Sequence, residues 1–485
     1  MKLKTLFKNI KYKTIKGKKD IDISGICSDS RYVSINNLFI AKKGLSYDGS
    51  NFIIDAINAG AIAIVTNIYN PFIKATQIIV DDPASIEADI AEKFYGTSSN
   101  DILKIAITGT NGKTTTSYLI KHVLDNINIK SGLIGSIEYI LGNNKLFSTN
   151  STPGVVLNHK YIHEMKKNNL KALVIEATSH GLDQDRLKKI EFDISIFTNF
   201  TQDHLDYHEN MQKYFSAKKK LFDNLKKDSI AIVNLDDEKS LEIVKNTKAK
   251  VYTISTKKKA SLKAYDINCT LEGSYFFIDH ENEKHKIFIP LIGIFNVYNA
   301  LSCIQALLLK KIKLVDIIKA LKTFKNIKGR LEKVNSTKRN IFVDFAHTDD
   351  ALINVLSNIK KLTKARIINI FGCGGNRDSD KRKKMAIASE KYADISIVTS
   401  DNPRNEDPKK IIDEIILGFS KKDSYIVIED RKMAIEKAIE LSKKEDIILI
   451  SGKGHETYQI IKDKKHDFND VKIAESFLNS QKGIK

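Results

Sequence analysis

Residues 102–126 read ILKIAITGTNGKTTTSYLIKHVLDN. An apolar stretch of strand length meets a glycine-bearing turn, then a lysine, then hydroxyl residues that open a helical pattern. A strand feeding a helix through so short a turn is the unit from which α/β sheets are built. The same junction is a phosphate cradle. Gly109 and Gly112 let backbone N–H groups turn toward an anion, the helix N-terminus adds partial positive charge, and Lys113 reaches terminal phosphates. Thr110, Asn111 and Thr115 complete the loop, and Thr114 stands where a hydroxyl holds Mg²⁺. The common G-x-x-x-x-G-K-[ST] pattern would require a glycine at Ile107, so the loop is a variant.

Strand-like and helical runs alternate through the rest of the chain, predicting an α/β protein with three domains. Residues 1–98 form a small α/β domain of short strands and turns, closed by the turn-rich FYGTSSND. Residues 99–329 form a P-loop-type domain with a mostly parallel sheet, carrying LKIAITG, KALVIEATS, ISIFTNF and SIAIVNLDD. Residues 330–485 form a Rossmann-like α/β domain with NIFVDFAH, ARIINIFGCGG, ISIVTSDNP, YIVIEDR and DIILISGKG. Ligands of open α/β sheets lie beyond the carboxyl ends of the strands, which directs attention to GCGGNRD, SDNPR and SGKGHE.

With a net charge of +20 over 485 residues, nucleic acid is the first partner to weigh. The lysines are scattered along the whole chain and no nucleic-acid-binding signature accompanies them, so the expectation is attraction of anionic small substrates and no nucleic-acid partner. No apolar run is long enough to span a bilayer and the N-terminus lacks a signal-peptide core. Cys27, Cys269, Cys303 and Cys373 are far apart and fit reduced thiols. A cytoplasmic monomer without membrane attachment is expected.

Carboxylates and imidazoles follow the phosphate loop at strand ends: Glu176 in KALVIEATSH and His204 in TNFTQDHLDYH. Glu176 and Thr114 suit the hard oxygen ligation that Mg²⁺ prefers, and His204 is a softer ligand. GTNGKTT, EATSH, TNFTQDHLDYH, AKKKLF, GIFNVYNAL, GRLE and FVDFAHTDDAL occur in this order, and together they resemble the Mur ligase family, ATP-dependent amide-forming enzymes of peptidoglycan precursor synthesis. The resemblance covers nearly the whole chain. It implies that Gly109 to Thr115 bind ATP phosphates, that Thr114 and Glu176 hold one Mg²⁺, and that His204 assists a second. Lys218 aligns with a lysine carbamylated in the family, where CO₂ turns a cation into a metal-binding carboxylate; spacing from His208 and Tyr214 selects it among three adjacent lysines. Asn296, Arg330 and Asp344 resemble residues near the adenine, the phosphates and the ribose. Phe345 and Asp349 stand where the family commonly has Tyr and Pro.

Two blocks speak to the amino acid added. SDSR with Ser28 and Ser30, NSTPG with Asn150, Ser151 and Thr152, and Thr178, Gln184 and Arg186 resemble the nucleotide-sugar-peptide pocket of members adding the third stem residue. The implied substrate is UDP-N-acetylmuramoyl-L-alanyl-D-glutamate. DNPR (Asp401, Asn402, Pro403, Arg404), Arg377, Gly452 and Glu456 resemble the pocket of members that add meso-diaminopimelate. Arg404 offers a bidentate grip on the distal carboxylate and repels the bare ammonium of lysine. Asn402 and Glu456 are expected to accept from the distal ammonium, and Arg377 to hold a carboxylate. The competing readings are a lysine-adding ligase of the same family, a folylpolyglutamate synthase, a basic P-loop ATPase acting on nucleic acid, and a catalytically silent scaffold.

Overall fold

The computed structural model describes residues 1–44, 47–98, 101–334 and 339–482, with side chains described as far as residue 480. Leu45 and Ser46 of KKGLSYDG, and Ser99 and Asn100 of FYGTSSND, lie outside the described residues. The chain forms two compact units. The first comprises Met1–Ala106, Ile129–Ser195 and Asp223–Ser229; the second comprises Ile107–Asn128, Ile196–Phe222 and Ile230–Lys485.

In the first unit, Thr14–Lys16, Thr76–Ile79, Ala61–Thr66, Asn37–Ile40 and Gly25–Cys27 lie side by side in that order. The first pair is antiparallel and the others are parallel. Leu38, Ile40, Ala63, Val65 and Ile78 bury one face in a core shared with Ala88, Ile90 and Ala91 of the helix Pro83–Tyr95. That helix is well punctuated: Asp82 caps it by accepting from Ala84 N, Pro83 opens it, and Gly96 leaves it at φ 61°. Each of the three suits its end of a helix. A second group of strands pairs Ala172–Glu176 parallel with Ser131–Ile134, which continues antiparallel into Glu138–Leu141 and Asn144–Phe147.

The strand Leu103–Thr108 begins in the first unit and delivers the phosphate loop into the second. There the helix Lys113–Asn126 buries Leu119, Ile120, Val123 and Leu124 and packs against Ile294–Leu308 and Leu314–Lys322. Ile230–Asn234, Lys250–Ser255 and Leu262–Thr270 are parallel, and the last turns into an antiparallel meander with Gly273–His280 and Glu283–Ile289.

The C-terminal part holds a six-stranded sheet ordered Glu332–Lys333, Asn340–Asp344, Ile447–Ser451, Ile367–Phe371, Ile395–Val398 and Tyr425–Val427. All its pairs are parallel except the first. Its central strands are apolar on both faces. Phe342, Phe371 and Leu449 enter a core with Met385 and Leu356, while Val343, Ile370 and Ile450 enter another with Ile435 and Ile439. Continuous apolar runs of this kind are expected of a parallel sheet covered on both sides. The mixed α/β class with largely parallel sheets is as expected from the sequence. No helix among the described residues is long and apolar enough to cross a membrane.

Candidate functional site

Within the second unit the phosphate loop is built by close approach. Gly109 has φ 144° and Gly112 φ 86°. Lys113 curls back over the loop, its Nζ donating to Gly109 O at 2.9 Å and Thr110 O at 2.7 Å. Asn111 N donates to Asn199 Oδ1 at 2.8 Å, and Thr198 Oγ1 donates to Asn111 O at 2.6 Å. Thr114 and Thr115 are buried in the first helical turn.

Next to this loop lies a buried group of charges. Lys218 is 1% exposed, and its Nζ donates to Gly109 O at 2.8 Å above the ring of Tyr214. Burial drives its pKa well below the ordinary lysine value, Lys113 pushes it further down, and Asp203 partly opposes them. Tyr214 is held by Thr110, Oγ1 to OH 3.1 Å, and by the stacked ring of Phe200. Asp203, which was not singled out in the sequence, adjoins His204 at 3.4 Å. Burial alone would raise its carboxyl, but His204, His347 and Lys113 outweigh that and hold it below the ordinary range. His204 itself adopts φ 55°, a strained position for a side-chain-bearing residue. Among the described residues, no three His, Cys, Asp or Glu are grouped to hold a metal ion.

Three further expected residues join this neighbourhood. Arg330 Nη2 donates to Thr114 Oγ1 at 3.3 Å, and its guanidinium lies 4.7 Å from the Phe345 ring centre. Asp344 accepts from Leu331 N at 2.7 Å and Ala346 N at 2.8 Å; burial raises its pKa although Arg330 and these bonds oppose the rise. Asn296 donates to Ile292 O and accepts from Asn299, whose own Oδ1 accepts from Thr116. Asp350, also missed, joins the C-terminal part to the loop: its Oδ2 accepts from Asn111 Nδ2 and Thr201 Oγ1, each at 2.9 Å.

The first unit holds the other expected set. Glu176 ends its strand fully buried, accepting from Ser136 N at 2.9 Å and Ser136 Oγ at 2.8 Å; Ser136 Oγ also meets Ser151 Oγ at 2.8 Å. Gly135 is required here, because a Cβ would lie 2.4 Å from Glu176 Oε1. Thr152 Oγ1 donates to Glu176 O at 2.7 Å and lies 2.9 Å from Thr178 Oγ1, which caps the short helix Ser179–Asp183. Arg186 donates to Thr152 O and, through Nε and Nη2, to Gln184 Oε1. Glu176, Ser151, Thr152, Thr178, Gln184 and Arg186 are thus one hydrogen-bonded group. Asn150 is exposed, and its carbonyl accepts from Tyr139 OH at 2.6 Å. Ser28 and Ser30 flank Asp29, whose carboxylate takes the Arg31 guanidinium at 2.7 Å.

The C-terminal loops converge as their strand ends require. Arg404, at φ 53°, donates from Nη1 to Gly375 O at 2.8 Å. Burial lowers its pKa, and the neighbouring positive charge of Arg377 lowers it further. Arg377 is exposed, 3.9 Å from Asp206. Gly452, at φ 111°, passes so close to Asp401 that a Cβ would lie 2.7 Å from its Oδ2. Asn402 differs from expectation: its Oδ1 already accepts from Lys453 Nζ at 3.0 Å and Ile460 N at 2.9 Å, while its Nδ2 donates to Glu456 Oε2 at 2.8 Å. Its amide oxygen is therefore committed within the protein. Pro403 is buried, and its carbonyl accepts from Glu406 N.

Comparison with known proteins identifies the family. Residues 22–95 match the Mur ligase family catalytic domain, 107–307 the Mur ligase middle domain, and 329–454 the Mur ligase glutamate ligase domain. A UDP-N-acetylmuramoyl-L-alanyl-D-glutamate–2,6-diaminopimelate ligase of Chlamydia felis is 42% identical over 485 residues, spanning 99% of this chain and 100% of its own. The enzyme of the same name from Caldanaerobacter subterraneus subsp. tengcongensis is 40% identical over 481 residues, spanning 99% of each chain. A solved structure of a ligase of that name superposes with TM-score 0.66 at 30% identity, covering 95% of both chains. The MurF ligase of Thermotoga maritima in complex with ADP, at 16% identity, shares the fold with TM-score 0.68 over 94% of this chain and 98% of its own. With its ordered motifs, its α/β architecture and full-length relatives at this identity, the chain belongs to the Mur ligase family.

Proposed function

We propose that the protein joins meso-2,6-diaminopimelate to the D-glutamyl side-chain carboxyl of UDP-N-acetylmuramoyl-L-alanyl-D-glutamate, converting ATP to ADP and phosphate. The observation that carries the choice of amino acid is the juxtaposition of Arg404 and Arg377 with Asp401 and Glu456 on the C-terminal loops. One end of diaminopimelate is a complete amino-acid head, and paired cations and carboxylates suit its two charges. The names of the full-length relatives favour the same substrate. We assign the uridine nucleotide to residues 1–98, ATP to 99–329 and the amino acid to 330–485.

The reaction has two steps. The glutamyl carboxylate attacks the γ-phosphorus of ATP, ADP leaves, and an acyl phosphate forms. The diaminopimelate amine then attacks the acyl carbon, loses a proton, and phosphate leaves. Phosphoryl transfer needs positioning and charge neutralisation more than covalent help. The loop from Gly109 to Thr115 cradles the phosphates, Lys113 and Arg330 balance their charge, and Asn296 and Asp344 shape the nucleoside's surroundings. Burial lowers the His347 pKa, which keeps the imidazole neutral and able to accept a proton. Ser28, Ser30, Asn150, Ser151, Thr152, Thr178, Gln184 and Arg186 hold the nucleotide-sugar peptide.

The donor set fits Mg²⁺ in kind, with the Thr114 hydroxyl and the Glu176 carboxylate as hard oxygen ligands. Thr114, His204 and Lys218 in one unit and Glu176 in the other are each proposed as Mg²⁺ ligands, and the charge of two ions would offset that of the phosphates. A carbamate on Lys218 would supply the carboxylate that the second ion lacks. The depressed Lys218 pKa supports this reading, because only a neutral amine adds CO₂. We place the protein in the cytoplasm as a monomer acting on small molecules.

Two experiments test these assignments. Arg404→Ala should raise the KM for diaminopimelate ~10- to 100-fold, the worth of a charged hydrogen-bonded pair; an unchanged KM removes Arg404 from the site. With ¹³C-bicarbonate, the protein should show a carbamate resonance that Lys218→Ala lacks, and that variant should lose about 100-fold or more in kcat and regain activity with small carboxylates. Undiminished activity of Lys218→Ala excludes the carbamate.

A further inference from the structure

Lys453 lies in the loop between the strand Ile447–Ser451 and the hairpin Tyr458–Ile461 with Lys464–Asp467. Its side chain is 0% exposed. The backbone on either side is pinned: Gly452 at φ 111° lies against Asp401, and Gly454 at φ 54° lies against Phe345, with Cβ positions 2.7 Å from a neighbouring atom in both cases. The lysine is thereby aimed inward, where its Nζ meets Asn402 Oδ1 at 3.0 Å and Glu456 Oε2 at 3.2 Å.

These bonds settle the orientation of the Asn402 amide. Its oxygen receives Lys453 Nζ and Ile460 N, so its nitrogen faces Glu456. A flipped amide would set NH₂ against an ammonium and a backbone N–H. Glu456 Oε2 consequently takes two donors, Asn402 Nδ2 and Lys453 Nζ, and no described residue donates to its Oε1. That leaves Oε1 as the Glu456 oxygen able to accept from a ligand ammonium. Arg431, the other buried cation nearby, is committed to Asp470, with Nε and Nη2 each 2.8 Å from the carboxylate. A buried lysine ion pair contributes little net stability, since desolvation offsets its attraction.

Resting on the reading of the protein as a diaminopimelate-adding ligase, we infer that Lys453 is a specificity-determining positioning residue, which aims Asn402 and Glu456 and offsets part of the Glu456 charge. Arg377 has Asp206 3.9 Å away, so the cation set directly against Glu456 is Lys453, at 3.2 Å. With Lys453 in place Glu456 draws the lone ammonium of L-lysine less strongly, whereas the distal head of diaminopimelate also offers a carboxylate to Arg404. Lys453 reaches the ligand through Glu456 rather than by touching it.

The experiment compares wild type, Lys453→Met and Lys453→Arg in amino-acid-dependent phosphate release, with diaminopimelate and L-lysine as alternative acceptors of the activated acyl group. In Lys453→Met the KM for diaminopimelate should rise about tenfold. The preference for diaminopimelate over lysine should fall, and the KM values for ATP and the nucleotide-sugar peptide should stay within about twofold. Lys453→Arg, which keeps the charge, should recover part of the preference. Adding Lys453→Met to Glu456→Gln should cost little more than Glu456→Gln alone, because the lysine acts through that carboxylate. An unchanged KM and preference in Lys453→Met overturns the inference and leaves the ligase reading intact. A parallel rise in all three KM values, or loss of the fold in both single variants, reduces Lys453 to a structural part and overturns it too. Failure of the wild type to release phosphate with diaminopimelate overturns the ligase reading itself.

Discussion

A methyl group added at Gly109 would lie 1.9 Å from Thr198 Oγ1, and one added at Gly112 would lie 2.4 Å from Asn299 Oδ1. Neither neighbour is free to yield, since Thr198 bonds to the Asn111 carbonyl and Asn299 bonds to Asn296 and Thr116. Both glycines also hold positive φ, which a side chain strains. Gly109→Ala and Gly112→Ala should therefore lower kcat/KM for ATP by about 100-fold, the scale expected of an ångström-sized misplacement; kinetics within about twofold of wild type would mean that the loop does not carry the phosphates. These glycines were legible because turn chemistry writes itself into local sequence. Lys453, Asp203 and Ser136 were not. Each is an ordinary letter until the fold sets Lys453 against Asn402, Asp203 in the field of His347 and Ser136 against Glu176, and no spacing rule announces such long-range pairings.

At the level of elements, the helix Asp349–Leu362 is tied to the phosphate loop through one carboxylate. Asp350 receives Asn111 and Thr201, as well as Asn354 from the next helical turn at 3.1 Å. Asp350→Ala should free the Asn111 side chain and raise the KM for ATP ~10-fold, the cost of losing a hydrogen bond to a charged group, while Asn354→Ala should have little effect. Equal KM values for the Asp350 variant and wild type would show that this tie does not matter to nucleotide binding. In the other unit, the helix Val155–Lys167 buries His159 against Thr97 Oγ1 at 2.5 Å and Lys188 O at 3.2 Å. Burial lowers its pKa from 6.5 to about 4. Between those values the unfolded chain binds the extra proton, so the stabilisation is whole above pH 6.5 and is lost as pH falls toward 4. The interval corresponds to about 3 kcal/mol. Thermal melting should show this fall, and His159→Gln should flatten it; identical pH profiles would contradict the assignment. The strand–helix alternation that leads to these elements was legible from apolar runs. The meander Gly273–His280 with Glu283–Ile289 was not foreseen: EKHKIFI is charged at one end, and only Ile287 and Ile289 of that strand are buried.

Across the whole molecule, two compact units divide the candidate groups. One carries Glu176 and its hydroxyl-rich surroundings; the other carries the phosphate loop, the buried Lys218 and the paired charges around Arg404. The α/β class was readable because buried parallel strands need unbroken apolar runs. The membership of each unit was not, because three separate stretches of chain make up each one. The central claim is that this Mur ligase adds diaminopimelate, and phosphate release in the presence of the amino acid measures it most directly. Purified protein with Mg-ATP and UDP-N-acetylmuramoyl-L-alanyl-D-glutamate should release phosphate when meso-diaminopimelate is added and far more slowly with L-lysine. Release with lysine in preference to diaminopimelate would contradict the reading of Arg404 and its neighbours, and no release with either would contradict the proposed reaction.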